Sequence, residues 1–123
     1  MATDSKRVSE IKRAQKESLL GKKIAVLLSK IALDDPKVSE FTLNRVELSA
    51  DKGVAVLYFY LPGGQEEFSE KIASLILYKP SIRSAIAKLV PSRYTPELVF
   101  KYDKQFEKEL KINQLLDRIK EEQ

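Results

Sequence analysis

The feature that most constrains this chain is Tyr78-Lys79-Pro80, set inside a helical stretch that runs from Glu66 to Val90. Phe68, Ile72, Leu75 and Ile76 make one apolar stripe at helical spacing. Ile82, Ala85, Ile86, Leu89 and Val90 make a second. Proline has no N–H, and its ring pushes Lys79 away from the α region. The stretch is therefore predicted to be two helices with a break between them, Pro80 lying in the first turn of the second. A helix start presents backbone N–H groups, and these attract phosphate. Lys79 and Arg83 stand beside that break.

The rest of the chain supplies a sheet for this helix pair to cover. Residues 1–10 are polar and expected to be flexible. A helix is predicted from about Ile11 to Ile31, with Leu20, Ile24, Leu27, Leu28 and Ile31 as its core stripe. Lys12, Arg13, Lys16, Lys22, Lys23 and Lys30 spread over its polar surface. Gly21 within it costs about 1 kcal/mol against alanine. It either admits a close neighbour or is simply tolerated. Asp34-Asp35-Pro36-Lys37 ends the helix and turns the chain.

A strand is predicted over Glu40–Ser49. Its alternation runs Phe41, Leu43 and then slips to Val46, Leu48, the mark of a β-bulge near Asn44-Arg45. Ser49 to Gly53 is a turn. Val54 to Leu61 is almost wholly apolar and reads as a central strand buried on both faces. The short loop pairs these two strands as an antiparallel hairpin. Pro62-Gly63-Gly64 closes the second strand, and Pro91 stops the helix pair. Leu98, Phe100 and Tyr102 alternate in a third strand over Glu97–Asp103. Phe106, Leu110, Ile112, Leu115, Leu116 and Ile119 then predict a C-terminal helix over 104–121, packed on the body. The order α-β-β-α-α-β-α, with three strands and helices on one face, is a single α+β domain over residues 1–123.

Composition narrows the chemistry. The chain has no histidine, so the usual general base at neutral pH and the commonest metal ligand are missing. It has no cysteine, so disulfides and thiolate zinc sites are excluded. Pro62-Gly63-Gly64 has no phosphate-loop lysine behind it. Glu66 and Glu67 suit the first turn of a helix, and Glu107 and Glu109 sit among lysines as surface charges. The expectation is a protein that is not an enzyme and that uses no cofactor or metal. No apolar run is long enough to span a bilayer, and the N-terminal stretch lacks the apolar centre of a signal peptide. A cytoplasmic protein without a membrane partner is expected.

A net charge of +4 suits an anionic partner. The candidate phosphate contacts are Lys79, Ser81, Arg83, Lys88 and Arg93 around the helix pair, with Lys12, Arg13, Lys16, Lys22 and Lys23 on the first helix. Arg83 and Lys88 lie off the Ile82/Ile86/Leu89 stripe and are expected to face water. Tyr78 can stack on a base or plug the core, and a tyrosine beside an apolar stripe is more often core. Equally open to the residues alone is an α+β interaction module that binds an acidic protein partner and no RNA.

From Arg93 to Leu116 the run RYTPELVFKYDKQFEKELKINQLL resembles the C-terminal signature of the ribosome-binding factor A family. That family shows an Arg, a Pro-Glu-Leu strand entry, Phe-x-Tyr-Asp, and a spacer to Arg-Ile-x-x-Leu-Leu. The matching residues are Arg93, Pro96-Glu97-Leu98, Phe100-Lys101-Tyr102-Asp103, Lys111-Ile112 and Leu115-Leu116. Upstream, Asp35-Pro36-Lys37 is similar to its Asp-Pro-Arg turn. Thr42 and the run Val46 to Asp51 resemble its first strand and Ser-x-Asp turn. Ala55 to Tyr58 resembles its second strand, and Ile82-Arg83-Ser84 its second kinked helix.

The resemblance implies a KH-type domain of the second topology. It also implies an assembly factor that binds the free small (30S) ribosomal subunit and precursor 16S rRNA, with other assembly factors as further partners; the chain is expected to be a monomer. Such proteins support late maturation, including the 5′ end of 16S rRNA, without catalysis or cofactor. This chain departs from the family at the break, where Tyr78-Lys79-Pro80 replaces Ala-x-Gly. Glu109 stands for a usual glycine and Lys111 for a usual arginine. The bulk at the break shifts the expected RNA contacts from its backbone amides to the side chains beside it.

Overall fold

The computed structural model describes residues 2–89 and 95–122. The elements are α1 (Ala2–Asp34), a 3-10 turn (Pro36–Glu40), β1 (Thr42–Leu48), β2 (Val54–Tyr60), α2 (Gly64–Ile76), α3 (Lys79–Leu89), β3 (Glu97–Tyr102) and α4 (Lys104–Glu121). β2 is the central strand, antiparallel to β1 and parallel to β3. A parallel pair needs a long crossover, and the α2–α3 pair is that crossover. The register slips between Leu43 and Arg45, so the predicted bulge lies where the apolar alternation changes phase. This is the α-β-β-α-α-β order of a KH-like domain of the second topology, with α4 added.

The core lies between one face of the sheet and helices α1, α2 and α3. Ala55, Leu57 and Phe59 of β2 point into it, with Val46 and Leu48 from β1 and Leu98 from β3. Leu20, Ile24 and Leu28 come down from α1, Phe68 and Leu75 from α2, and Ile82 and Ile86 from α3. Phe59 sits at the centre. Phe41 and Phe100 meet its ring edge to face at 6.0 and 5.5 Å. Truncating such a ring to alanine costs about 3–5 kcal/mol. The Glu17 carboxylate accepts from the Leu48 N–H at 2.6 Å and ties α1 to the end of β1.

Four expectations change. The first helix starts at Ala2, not near Ile11, because the polar residues before Ile11 hold no proline or glycine to stop it. The second face of β2 (Val54, Val56, Tyr58 and Tyr60) is half-buried, not buried: α1, α2 and α3 cover the opposite face, and on this one the start of α4 reaches Tyr60 through Phe106. Ile76 and Leu89 are 47% and 52% exposed. Each is the last residue of its helix, and Ile76 also lies about 80° around the helix from Phe68, off the buried line. Finally, α4 is not packed on the body and has no buried residue. Only its start docks, through the Phe106 ring 5.0 Å from Tyr60. Ile112, Leu115, Leu116 and Ile119 remain 46–58% exposed.

Gly21 proves to be tolerated, not required. A Cβ built there meets Val46 at 3.7 Å, an ordinary contact. Gly21→Ala is therefore expected to stabilise the protein by about 0.5–1 kcal/mol through helix propensity. A urea titration that shows a loss of stability would mean that α1 and β1 pack too closely there for a methyl group.

Candidate nucleic-acid interface

The helix break falls at Leu77-Tyr78, and α3 begins at Lys79 with Pro80 in its first turn. Tyr78 is fixed from both sides. Its N–H donates to the Leu75 carbonyl at 3.0 Å, and its carbonyl accepts from the Ile82 N–H at 2.9 Å. Its hydroxyl donates to Asp35 Oδ2 at 2.6 Å. That hydrogen bond to a carboxylate is the main reason the Tyr78 pKa rises above the usual tyrosine value. The other oxygen of Asp35 accepts from the Lys37 N–H and caps the 3-10 turn. One aspartate thus joins the end of α1 to the break, and the half-buried Tyr78 ring packs against the core.

The candidate contact residues on α3 divide into two sets by helical spacing. Lys79 and Arg83, four residues apart, turn toward the start of β3. The Lys79 ammonium lies 3.8 Å from Glu97 and 5.8 Å from the centre of the Phe100 ring. Arg83 donates from Nε to the Pro96 carbonyl at 3.2 Å and from a terminal nitrogen to the Thr95 carbonyl at 3.1 Å. Arg83 therefore fastens the segment leading into β3, although its side chain still reaches solvent. Ser81 and Lys88, seven residues apart, lie on the other, exposed side of α3. Arg93 lies outside the described residues.

On α1, Lys12, Lys22 and Lys23 are exposed, whereas Arg13 and Lys16 are half-buried. Lys22 lines a cavity of about 370 Å³ between α1 and β1, with Gly21, Ala25, Asn44, Arg45 and Val46. The expected cations are thus brought onto the helical side of the molecule in several groups, not into one cluster.

A further basic concavity was not foreseen. Arg45, Tyr58, Lys101, Lys104 and Gln105 border a cavity of about 460 Å³ at the end of the sheet. The Arg45 guanidinium lies 3.9 Å from the centre of the Tyr58 ring, bonds to Glu47, and donates to Asp103 Oδ2 at 3.3 Å. Asp103 also accepts from Asn44 at 3.4 Å and from the Phe106 N–H at 3.1 Å, which caps α4. Burial pushes the Asp103 carboxyl up, but the Phe106 N–H, Arg45 and Asn44 together hold it below the usual carboxylate range. The available sequence signals were Asp103 three residues before Phe106, a capping spacing, and Lys101 alternating with two core aromatics. Among the described residues no group of acidic side chains is arranged to hold a metal ion, and no helix is long and apolar enough to cross a membrane.

The model of the ribosome-binding factor A family matches residues 12–116, nearly the whole chain. The chain belongs to the ribosome-binding factor A family. It is 34% identical over 119 residues to a ribosome-binding factor A of Fervidobacterium nodosum, covering 92% of this chain and 95% of that one. To that of Halothermothrix orenii it is 32% identical over 114 residues, covering 90% and 93%. The fold is similar to the crystal structure of ribosome-binding factor A from Thermus thermophilus. The TM-score is 0.61 at 27% identity, over 73% of this chain and 94% of that one. Asp35, which fixes the break, and Asp103, which caps α4, both lie within the matched span.

Proposed function

We propose that this protein is a small-subunit assembly factor that binds the free 30S subunit and its precursor 16S rRNA and supports late maturation, including that of the rRNA 5′ end. The observation that carries the proposal is the family match across residues 12–116, on a fold whose helical side carries Lys12, Lys22, Lys23, Ser81 and Lys88 in the open. Cations on two helices reach phosphates on a folded RNA, while the sheet and the Asp35–Tyr78 tie keep those helices in register. Arg13, Lys16, Lys79, Arg83 and Arg93 complete the proposed contact set. Recognition of shape and backbone needs no catalytic group and no cofactor, and one copy of the chain suffices.

Co-sedimentation of purified protein with free small subunits tests this directly. Binding is expected at low salt and is expected to weaken on the order of 10³-fold between about 50 and 200 mM, as released counterions are lost as a driving force. No binding at low salt, or binding indifferent to salt, would sink the proposal.

A further inference from the structure

The outer face of α1 carries a repeat that phosphate binding does not explain. Leu19, Val26 and Leu33 recur every seven residues, and each is followed four residues later by a lysine: Lys23, Lys30 and Lys37. The aliphatic members are in water, with Leu19 43%, Val26 55% and Leu33 85% exposed. The lysines are exposed as well, Lys37 just beyond the helix. Among the described residues none of the three lysines makes an ion pair within the chain. The inward line of Leu20, Ile24 and Leu28 is buried, so the repeat is not part of this chain's core. It runs for about 21 Å along the helix.

We infer that this face is a docking seam for an acidic, amphipathic α-helix of a protein bound to the small subunit. One aliphatic side chain every seven residues, with polar Lys22 and Ser29 between, gives a single narrow line of contact for a partner helix, and charges beside such a line choose the partner. Lysines alone would serve phosphate; aliphatic groups between them gain nothing from it. The seam also rejects its own copy, since pairing two such faces sets lysine against lysine. A helix presenting aliphatics flanked by carboxylates matches both features. With only three repeats the seam binds weakly by itself, and attachment of the chain to the rRNA raises the local concentration of the partner. On this inference Lys30 and Lys37 serve the protein partner, while Lys12, Arg13, Lys16, Lys22 and Lys23 remain the proposed phosphate contacts on α1.

The inference rests on the small-subunit reading, and one experiment separates the two. The full chain is made with the photocrosslinker benzoylphenylalanine in place of Val26, bound to purified precursor small subunits, sedimented and irradiated. The expected result is a protein adduct whose crosslinked peptide is an acidic helical segment. Its yield is expected to fall roughly tenfold in Lys30→Glu/Lys37→Glu, two residues outside the proposed rRNA contacts, while sedimentation with subunits persists. An rRNA adduct, an adduct to a second copy, or no adduct from sedimented protein overturns the seam but leaves the assembly-factor reading standing. Failure of the unsubstituted chain to sediment overturns that reading, and the seam with it.

Discussion

Asp103→Ala lowers the unfolding free energy by about 2–3 kcal/mol, measured by urea titration at neutral pH. The carboxylate has only 3% of its side-chain surface in water and serves three donors from two elements. Removing it uncaps α4, a loss of about 1 kcal/mol. It also leaves the Asn44 amide and the Arg45 guanidinium short of an acceptor at the bulge of β1. Arg45 keeps Glu47 and Tyr58, which is why the loss stays below that of a fully isolated buried ion. Asp103→Asn keeps an acceptor for the Phe106 N–H and is expected to lose less. Acid separates the two further. The folded Asp103 pKa lies below the usual carboxylate value near 3.9, so in that window the unfolded chain binds the proton first. The Asp103 contribution is therefore fully present above the ordinary value and is lost as pH falls through the folded one. Asp103→Asn should flatten that part of the pH profile. An unchanged profile would mean that the Arg45 pair contributes nothing in solution.

The parts of this fold that the sequence made legible are those decided locally. Pro80 dictates a break whatever surrounds it, and the break stands within two residues of it. The slip from Leu43 to Val46 places the bulge because side chains alternate strictly along a strand. What stayed hidden depends on distant segments. An apolar run such as Val54–Leu61 does not say how many of its faces will be covered; that depends on which helices cross which side, and here α1, α2 and α3 cover one while α4 touches the other at Tyr60. The stripe from Ile112 to Ile119 reads the same whether or not something lies beneath it. Arg83 was legible as exposed, but its acceptors are backbone carbonyls in an irregular connection, which no periodicity reveals. Arg45 escaped notice because its partners, Glu47, Tyr58 and Asp103, meet only once the strands are paired.

That difference between the two sides of α3 sets the second large effect. Ser81→Glu/Lys88→Glu is expected to lower small-subunit affinity by roughly 10–30-fold at low salt and to reduce the salt slope by about one. Stability should move by no more than about 0.5 kcal/mol, since both side chains lie on an exposed helix face. The matching change on the other side, Lys79→Glu/Arg83→Glu, behaves differently. It sets carboxylates against Glu97 and the carbonyls of Thr95 and Pro96, where cations now sit. It is therefore expected to cost about 1–2 kcal/mol of stability along with affinity. Measuring urea midpoints beside co-sedimentation tells a lost phosphate contact from a loosened β3. If the Ser81/Lys88 pair leaves affinity and salt slope unchanged while the Lys79/Arg83 pair abolishes binding with its fold intact, the rRNA lies against the β3 side of α3. Loss in the first pair alone places it on the outer side, where Lys88 makes no ion pair among the described residues, whereas Lys79 and Arg83 hold Glu97 and the carbonyls of Pro96 and Thr95.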